Sequence, residues 1–373
     1  MNHSFVLANI AARPTRTVAS LLGIALGVLL IMVIAGLARG MLYDSGQRAK
    51  NVGAELLFRS SGGLGPSVTA TPLDLPVAYA RRLKQIEGVS GVTPLGQYIR
   101  GGASGLGFEM VDGIADQPTD QYSTFAEISG IRIVEGHPIT NDDDIIVDRR
   151  YAASRKVGPG STVELFNHTF RVAGIYEPES GARVKLRLSK LQDLLGAEEK
   201  CSLIFIKCAN PDEQELVGKR IDEELPGNRV ILTRDIPSYY DKGIPSLNIF
   251  LKVVIGLSTI ISSLVILLAM YTSITERTRE IGILKSLGAS RGFIVTTIEK
   301  EALAISALGV LVGFLFSLAA KAGISEFTTL IVKFELKWVL IAGAVGFAGG
   351  VVGALYPALH AANQDAVKAL AYE

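Results

Sequence analysis

Residues 276 to 290 read "ERTREIGILKSLGAS" and lie between two apolar runs. The stretch opens on acids and bases, Glu276, Arg277, Arg279 and Glu280, and then alternates apolar with small residues. At helical pitch, Ile281, Ile283, Leu284 and Leu287 share an arc of about 160°. Gly282, Lys285 and Ser286 take the other side. Gly288 is free to adopt a positive φ and end the helix, and Ser290 can cap the next one. Glu276 and Arg279 stand at i,i+3, within pairing reach on a helix. The pattern predicts a short amphipathic helix with binding chemistry. Such a helix either lies on lipid headgroups or docks in a groove on a partner protein, and the pattern leaves both open.

Other residues with chemical potential do not assemble into a catalytic set. "GGASGLG" (101–107) is glycine-rich but lacks the strand-to-helix setting of a dinucleotide loop, and Met110 stands where its third glycine belongs. Asp142, Asp143 and Asp144 are consecutive and cannot all face one Ca²⁺, so a solvated loop is expected. His137 and His168 stand alone, without a second ligand at metal spacing. Cys201 and Cys208, on one predicted strand, point to opposite faces roughly 23 Å apart. They are read as unpaired and structural, with no metal role. No GxSxG and no GxxxxGK[ST] occurs. No catalytic residue is expected, and any ATP used is hydrolysed by another polypeptide.

The elements that position the 276–290 stretch come from hydropathy. Of 373 residues, 49% are apolar and 39 are Gly, with a net charge of +1. That balance leaves no basic stripe for nucleic acid and suits helices packed in lipid. Val18–Leu37, Val253–Thr275, Ala302–Ala320 and Trp338–Leu359 are uncharged. Each approaches or exceeds the ~20 helical residues that span a bilayer. The first is too long for a cleaved signal core and is expected to remain as an anchor.

Gly23–Gly27, Gly309–Gly313, Gly346–Gly350 and Gly349–Gly353 give GxxxG spacings within spans, where small residues let helices approach. No acid or base lies deep in a span, which argues against an intramembrane ion relay. Lys and Arg are enriched before the first span (Arg13, Arg16) and after the second (Arg277, Arg279, Lys285, Arg291, Lys300). Both termini and the 276–301 loop are therefore expected inside.

The long stretch between the first two spans reads as a folded α+β domain. "AELLFRS" (54–60) and "AYARRLKQIEGVSGVTPLG" (78–96) form one strand–helix–strand pattern. "SLIFIKC" (202–208) and "ELVGKRIDEELPGNRVILTRD" (215–235) form another. Two such units suggest a ferredoxin-like subdomain, with chance similarity of two ordinary units as the alternative. The insertion at about 100–200 is rich in short strands and reads as a second, β-rich subdomain.

"ERTREIGILKSLGASRGFIV" closely resembles the signature loop of FtsX-like (MacB-type) ABC-transporter permeases, the family that includes lipoprotein-releasing and macrolide-exporting relatives. "NIAARPTRTVASLLGIALGV" (9–28) and "YPALHAANQDAVKALAYE" (356–373) are similar to its first span and tail. "VGPGSTVEL", "FRVAGIYEP" and "LSKLQDLLG" resemble its external domain. Pro14 interrupts a leading helix that is usually more basic, and Ala366 stands where Pro is frequent.

The resemblance implies a cytoplasmic helix (1–17), a first span (18–38) and an extracytoplasmic domain with stalk ends (39–248). A second span (249–275), a coupling loop (276–301), a third span (302–320), a short external loop (321–337), a fourth span (338–359) and a cytoplasmic tail (360–373) follow. It implies a non-catalytic permease subunit in the cytoplasmic (inner) membrane, paired as a homodimer or heterodimer, with ATP and Mg²⁺ on a separate ABC ATP-binding subunit. It leaves room for a periplasmic adaptor protein.

Glu276, Arg277, Arg279, Glu280, Ile281, Leu284, Leu287, Gly288 and Ser290 become the ATPase-coupling residues. Gly23, Gly27, Gly309, Gly313, Gly346 and Gly350 are the helix-packing positions. Motion passed to the external domain, a mechanotransmission, would extrude or extract an amphiphilic substrate, such as a lipid-linked molecule, peptide or drug. The alternative is a regulator that activates an external enzyme, such as a cell-wall hydrolase, without transport.

Overall fold

The computed structural model describes residues 14–61, 73–101, 108–236, 245–276 and 278–363. The first described element is a 37-residue helix, α1 (Pro14–Lys50). Then come β1 (Leu56–Ser60), β2 (Leu75–Pro76), α2 (Tyr79–Lys84), β3 (Val89–Gly101), β4 (Phe108–Ile114) and α3 (Phe125–Ser129). β5 (Arg132–Gly136), β6 (Asp144–Asp148), α4 (Arg149–Arg155), β7 (Thr162–Leu165), β8 (His168–Glu177) and β9 (Val184–Arg187) follow. The domain continues through α5 (Leu188–Leu195), β10 (Lys200–Cys201), β11 (Leu203–Cys208), α6 (Gln214–Glu224) and β12 (Asn228–Leu232). Last come the helices α7 (Pro245–Glu276), α8 (Thr278–Ser286), α9 (Arg291–Phe327) and α10 (Leu336–Asn363).

Two compact units result. One comprises Leu42–Ile244 with Phe327–Thr329, and the other holds Met1–Met41, Pro245–Glu326 and Leu330–Glu373. The first is an α/β domain on a ten-stranded sheet of order β12-β1-β11-β3-β4-β9-β6-β8-β5, with β7 pairing β8. β12, β1, β11, β3 and β4 pair antiparallel in sequence along that order. Further on, β4 with β9 and β6 with β8 pair parallel.

The inserted strands belong to the same sheet as β1, β11 and β12. The 13-residue β3 pairs β11 through one end and β4 through the other, so the sheet runs on into the insertion. Strand alternation sorts the side chains. Leu56, Phe58, Ile204 and Ile206 enter one core with Leu83 of α2 and Val217 and Ile221 of α6. Leu57, Leu203 and Phe205 enter another with Phe125 and Ile128 of α3. A third core joins Val111, Val147, Phe170, Val184 and Leu186 to Tyr151 of α4 and Leu191 of α5.

Cys201 and Cys208 correct the sequence expectation of opposite faces: both are buried in the same core. The strand is broken at Ser202, whose Oγ accepts from the Gln97 amide while its own amide donates to the Leu95 carbonyl. Cys201 therefore leaves β11 for the short β10–β2 pair. That break reverses its face.

Among the described residues, three helices are long and apolar enough to cross a membrane: Ser20–Lys50, Arg291–Glu326 and Leu336–Asn363. α7 carries a shorter apolar stretch, Lys252–Val265. Ile24, Val28, Ile31 and Met32 of α1 pack with Ala302 and Ile305 of α9 and Ala342 and Ala354 of α10. Leu22, Leu26 and Leu30 stay exposed on the other side of α1. A helix apolar on all sides needs an apolar solvent for that second face.

Candidate functional site

α8 follows α7 after Arg277, which lies outside the described residues. The side chains of Glu276, Arg279 and Glu280 also lie outside them. The remaining candidates fall on two sides of a short helix. Ile281 is buried against Ile274 of α7, Ile294 of α9, and Ala361 and Ala362 of α10. Ile283 is exposed, Leu284 is half-buried, and Leu287 is 79% exposed. The single apolar arc read from the sequence is thus divided. Ile281 holds the helix to its own unit, while Ile283 and Leu287 face outward.

The end of α8 is built by hydrogen bonds. Gly288 has φ of +91°. Its amide donates to the Lys285 carbonyl at 3.0 Å, and the Ala289 amide donates to the Leu284 carbonyl at 3.0 Å. This paired closure is a Schellman motif, and it needs the left-handed conformation that glycine adopts without a Cβ clash. Two residues on, Ser290 Oγ accepts from the Phe293 amide at 3.2 Å and starts α9. A stop and a start two residues apart set the direction of α8 relative to α9. The exposed Leu287 is held at that corner.

Four of the six candidate packing glycines lie at helix contacts. A Cβ built on Gly23 would meet Val265 Cγ1 at 2.3 Å, and one on Gly309 would meet Ile24 Cβ at 2.8 Å. One on Gly313 would lie 2.7 Å from the Ala25 carbonyl oxygen, and one on Gly346 would lie 2.6 Å from Val310 Cγ2. Gly27 and Gly350 are buried.

Sequence reasoning missed the tightest approach. A Cβ on Gly40 would sit 1.7 Å from the Ile331 carbonyl oxygen, and one on Gly36 would meet Val332 and Phe334 at 2.8 Å. The Lys333 amide donates to the Gly36 carbonyl at 2.9 Å. The segment between α9 and α10 therefore lies in a groove on α1 floored by two glycines. Their GxxxG spacing was present in the sequence, but Arg39 between them places it past the uncharged run.

Also missed was a buried charge network in the α/β domain. Lys185 Nζ is fully buried and donates to Asp112 Oδ2 at 3.1 Å and to the Ser180 and Ala182 carbonyls. Burial lowers the Lys185 pKa, with Asp112 opposing that shift. Arg183 Nη2 donates to Asp44 Oδ2 and Nη1 to Asp148 Oδ2, each at 2.7 Å. No spacing rule joins residues so far apart in sequence.

Among the described residues, no group of three or more His, Cys, Asp and Glu side chains is arranged to hold a metal. The aspartate run is not a uniformly solvated loop, because Asp144 is buried. Its Oδ1 accepts from Arg171 and its Oδ2 from Thr140 and Asn141.

Two family models cover most of the chain: a MacB-like periplasmic core domain over residues 17–224, and an FtsX-like permease C-terminal domain over 252–366. The chain belongs to the FtsX/MacB-type ABC transporter permease family. It is 23% identical to an uncharacterized ABC transporter permease, YknZ, of Bacillus subtilis, over 100% of this chain and 99% of that one. It is 25% identical to the macrolide export ATP-binding/permease protein MacB of Nitrobacter winogradskyi, over 98% of this chain. There it spans 59% of the relative's length. The periplasmic region of MacB from Actinobacillus actinomycetemcomitans aligns over 52% of this chain and 95% of that structure, with 14% identity and a TM-score of 0.38. Membership makes the chain a component of a membrane transporter.

Proposed function

We propose that this permease couples ATP hydrolysis on a separate ABC ATP-binding subunit, which carries the ATP and Mg²⁺, to motion of its α/β domain. The observation that carries the reading is α8: two exposed apolar side chains on a helix anchored by Ile281 and stopped at Gly288. An apolar helix face of this size suits a groove on a partner protein. Glu276, Arg277, Arg279 and Glu280 would supply the charged rim of that contact. α1, unbroken from Pro14 to Lys50, offers a rigid path for displacement.

In this reading α7 is a fourth span, and both termini and α8 are cytoplasmic in the inner membrane. The domain is extracytoplasmic, and the permease works as a pair, as a homodimer or with a second permease. The strand order β12-β1-β11-β3, all antiparallel, with α2 and α6 on one face, supports a ferredoxin-like half. The cargo is an amphiphilic molecule expelled by domain motion, with no channel through the spans.

The test uses the full chain purified with its ATP-binding subunit in lipid nanodiscs. Leu287→Asp is expected to weaken the complex or to separate ATP hydrolysis from domain motion while the chain stays folded. Unchanged assembly and coupling would remove the role given to α8. A bound hydrolase activated by ATP, without cargo movement, would favour the regulator reading.

A further inference from the structure

Beyond the apolar stretch of α1, its last two turns carry Asp44, Arg48 and Lys50. Helix ends expose carbonyls that need donors, and here the domain supplies one. The Gly181 amide donates to the Arg48 carbonyl at 3.3 Å, while Arg48 Nη1 donates to the Gly181 carbonyl at 2.7 Å. Asn51 Nδ2 donates to the Glu179 carbonyl at 2.9 Å. The helix end and the 179–181 segment thus hold each other through both backbone and side chains.

Arg183 closes this arrangement. Its Nη2 reaches Asp44 on α1, and its Nη1 reaches Asp148 at the end of β6, with Glu179 at 3.4 Å. Asp148 also caps α4 by accepting from the Tyr151 amide at 2.7 Å. Arg48 and Arg150 lie within ion-pair distance of Asp44 and Glu179. Three carboxylates therefore meet three guanidiniums, and each charge has a counterpart. The planar fork of arginine is suited to bridging two carboxylates at once, whereas a lysine offers a single point charge.

We infer that Arg183 is a positioning residue that clamps the C-terminal end of α1 to the α/β domain, so that the two move as one body. The inference deepens the coupling role proposed above and rests on it for its meaning. The geometry of the clamp stands independently. Loosened, the helix end would slide against the 179–181 segment, and displacement along α1 would be lost before it reached the sheet.

The experiment places spin labels at Gln47→Cys on α1 and Ala153→Cys on α4, both exposed positions, in the full chain with its ATP-binding subunit in nanodiscs. The native cysteines are buried. With wild-type Arg183 and Asp44, one narrow label distance is expected, the same without nucleotide and with a non-hydrolysable ATP analogue. Arg183→Lys and Asp44→Asn are expected to lose that single distance.

Asp44→Asn leaves Arg183 paired with Asp148 and Glu179, so the domain stays folded, and amide protection of the sheet verifies this. A wild-type distance that shifts with nucleotide overturns the clamp. So does a narrow distance retained in both variants. If the chain fails to bind an ATP-binding subunit, the coupling function falls, while the nucleotide-free comparison of wild type with Asp44→Asn still decides the clamp.

Discussion

Three consecutive aspartates, Asp142, Asp143 and Asp144, meet separate basic partners. Arg187 takes the first, His168 and Lys190 the second, and Arg171 the third. Burial alone would raise the Asp144 carboxyl. Hydrogen bonds from Asn141, Thr140 and Arg171 outweigh it and hold the pKa well below the usual carboxylate range. A depressed folded pKa gives stability that is full above the unfolded value of about 3.9 and lost as pH falls below it. Asp144→Asn should therefore cost about 1.5–3 kcal/mol at neutral pH, the range for hydrogen bonds to a charged group. The gap to wild type should close as pH drops toward 2, read by urea unfolding across pH. The two thiols give a second expectation. Burial pushes the Cys208 thiol up to about 11 and raises Cys201 further. Only a thiolate attacks an alkylating reagent, so neither cysteine should react with iodoacetamide at pH 7 until the domain is unfolded. Mass spectrometry of native protein with a modified Cys201 would contradict this.

Among elements, α1 shows how close backbone approach fixes part of a helix before its polar end is reached. Gly36 and Gly40 admit the Ile331–Phe334 segment to backbone contact, and a side chain at Gly40 would collide with a carbonyl oxygen rather than a movable side-chain tip. Gly40→Val should force that segment off the helix and cost about 1–3 kcal/mol, the usual price of overpacking. Thermal unfolding of the purified chain in detergent reads the loss, and a variant with wild-type stability would show that the segment moves freely. α8 is fixed differently, by Ile281 on its inner side and by the Gly288 closure at its end. The stop was legible because glycine at a helix end followed by a capping serine has a local physical cause. The split of its apolar arc was not, since only the arrangement of α7, α9 and α10 determines which side is covered.

For the whole molecule, the three sheet cores draw their buried residues from 52–236, the α/β unit alone. Residues 42–244 expressed alone should fold to a soluble domain with a cooperative melt, measured by circular dichroism. A product without fixed secondary structure would show that the helical unit is needed. The apolar helices, the strand–helix–strand units and the stop of α8 at Gly288 were legible from the residues alone, because hydropathy, alternation and capping act over a few residues. Tertiary structure decided the rest. It joined the insertion to one continuous sheet through the length of β3, turned Cys201 and Cys208 into one core, and brought Arg183 to Asp44, 139 positions away. Such contacts depend on strand order and on where a strand breaks, and neither leaves a periodic mark in the chain.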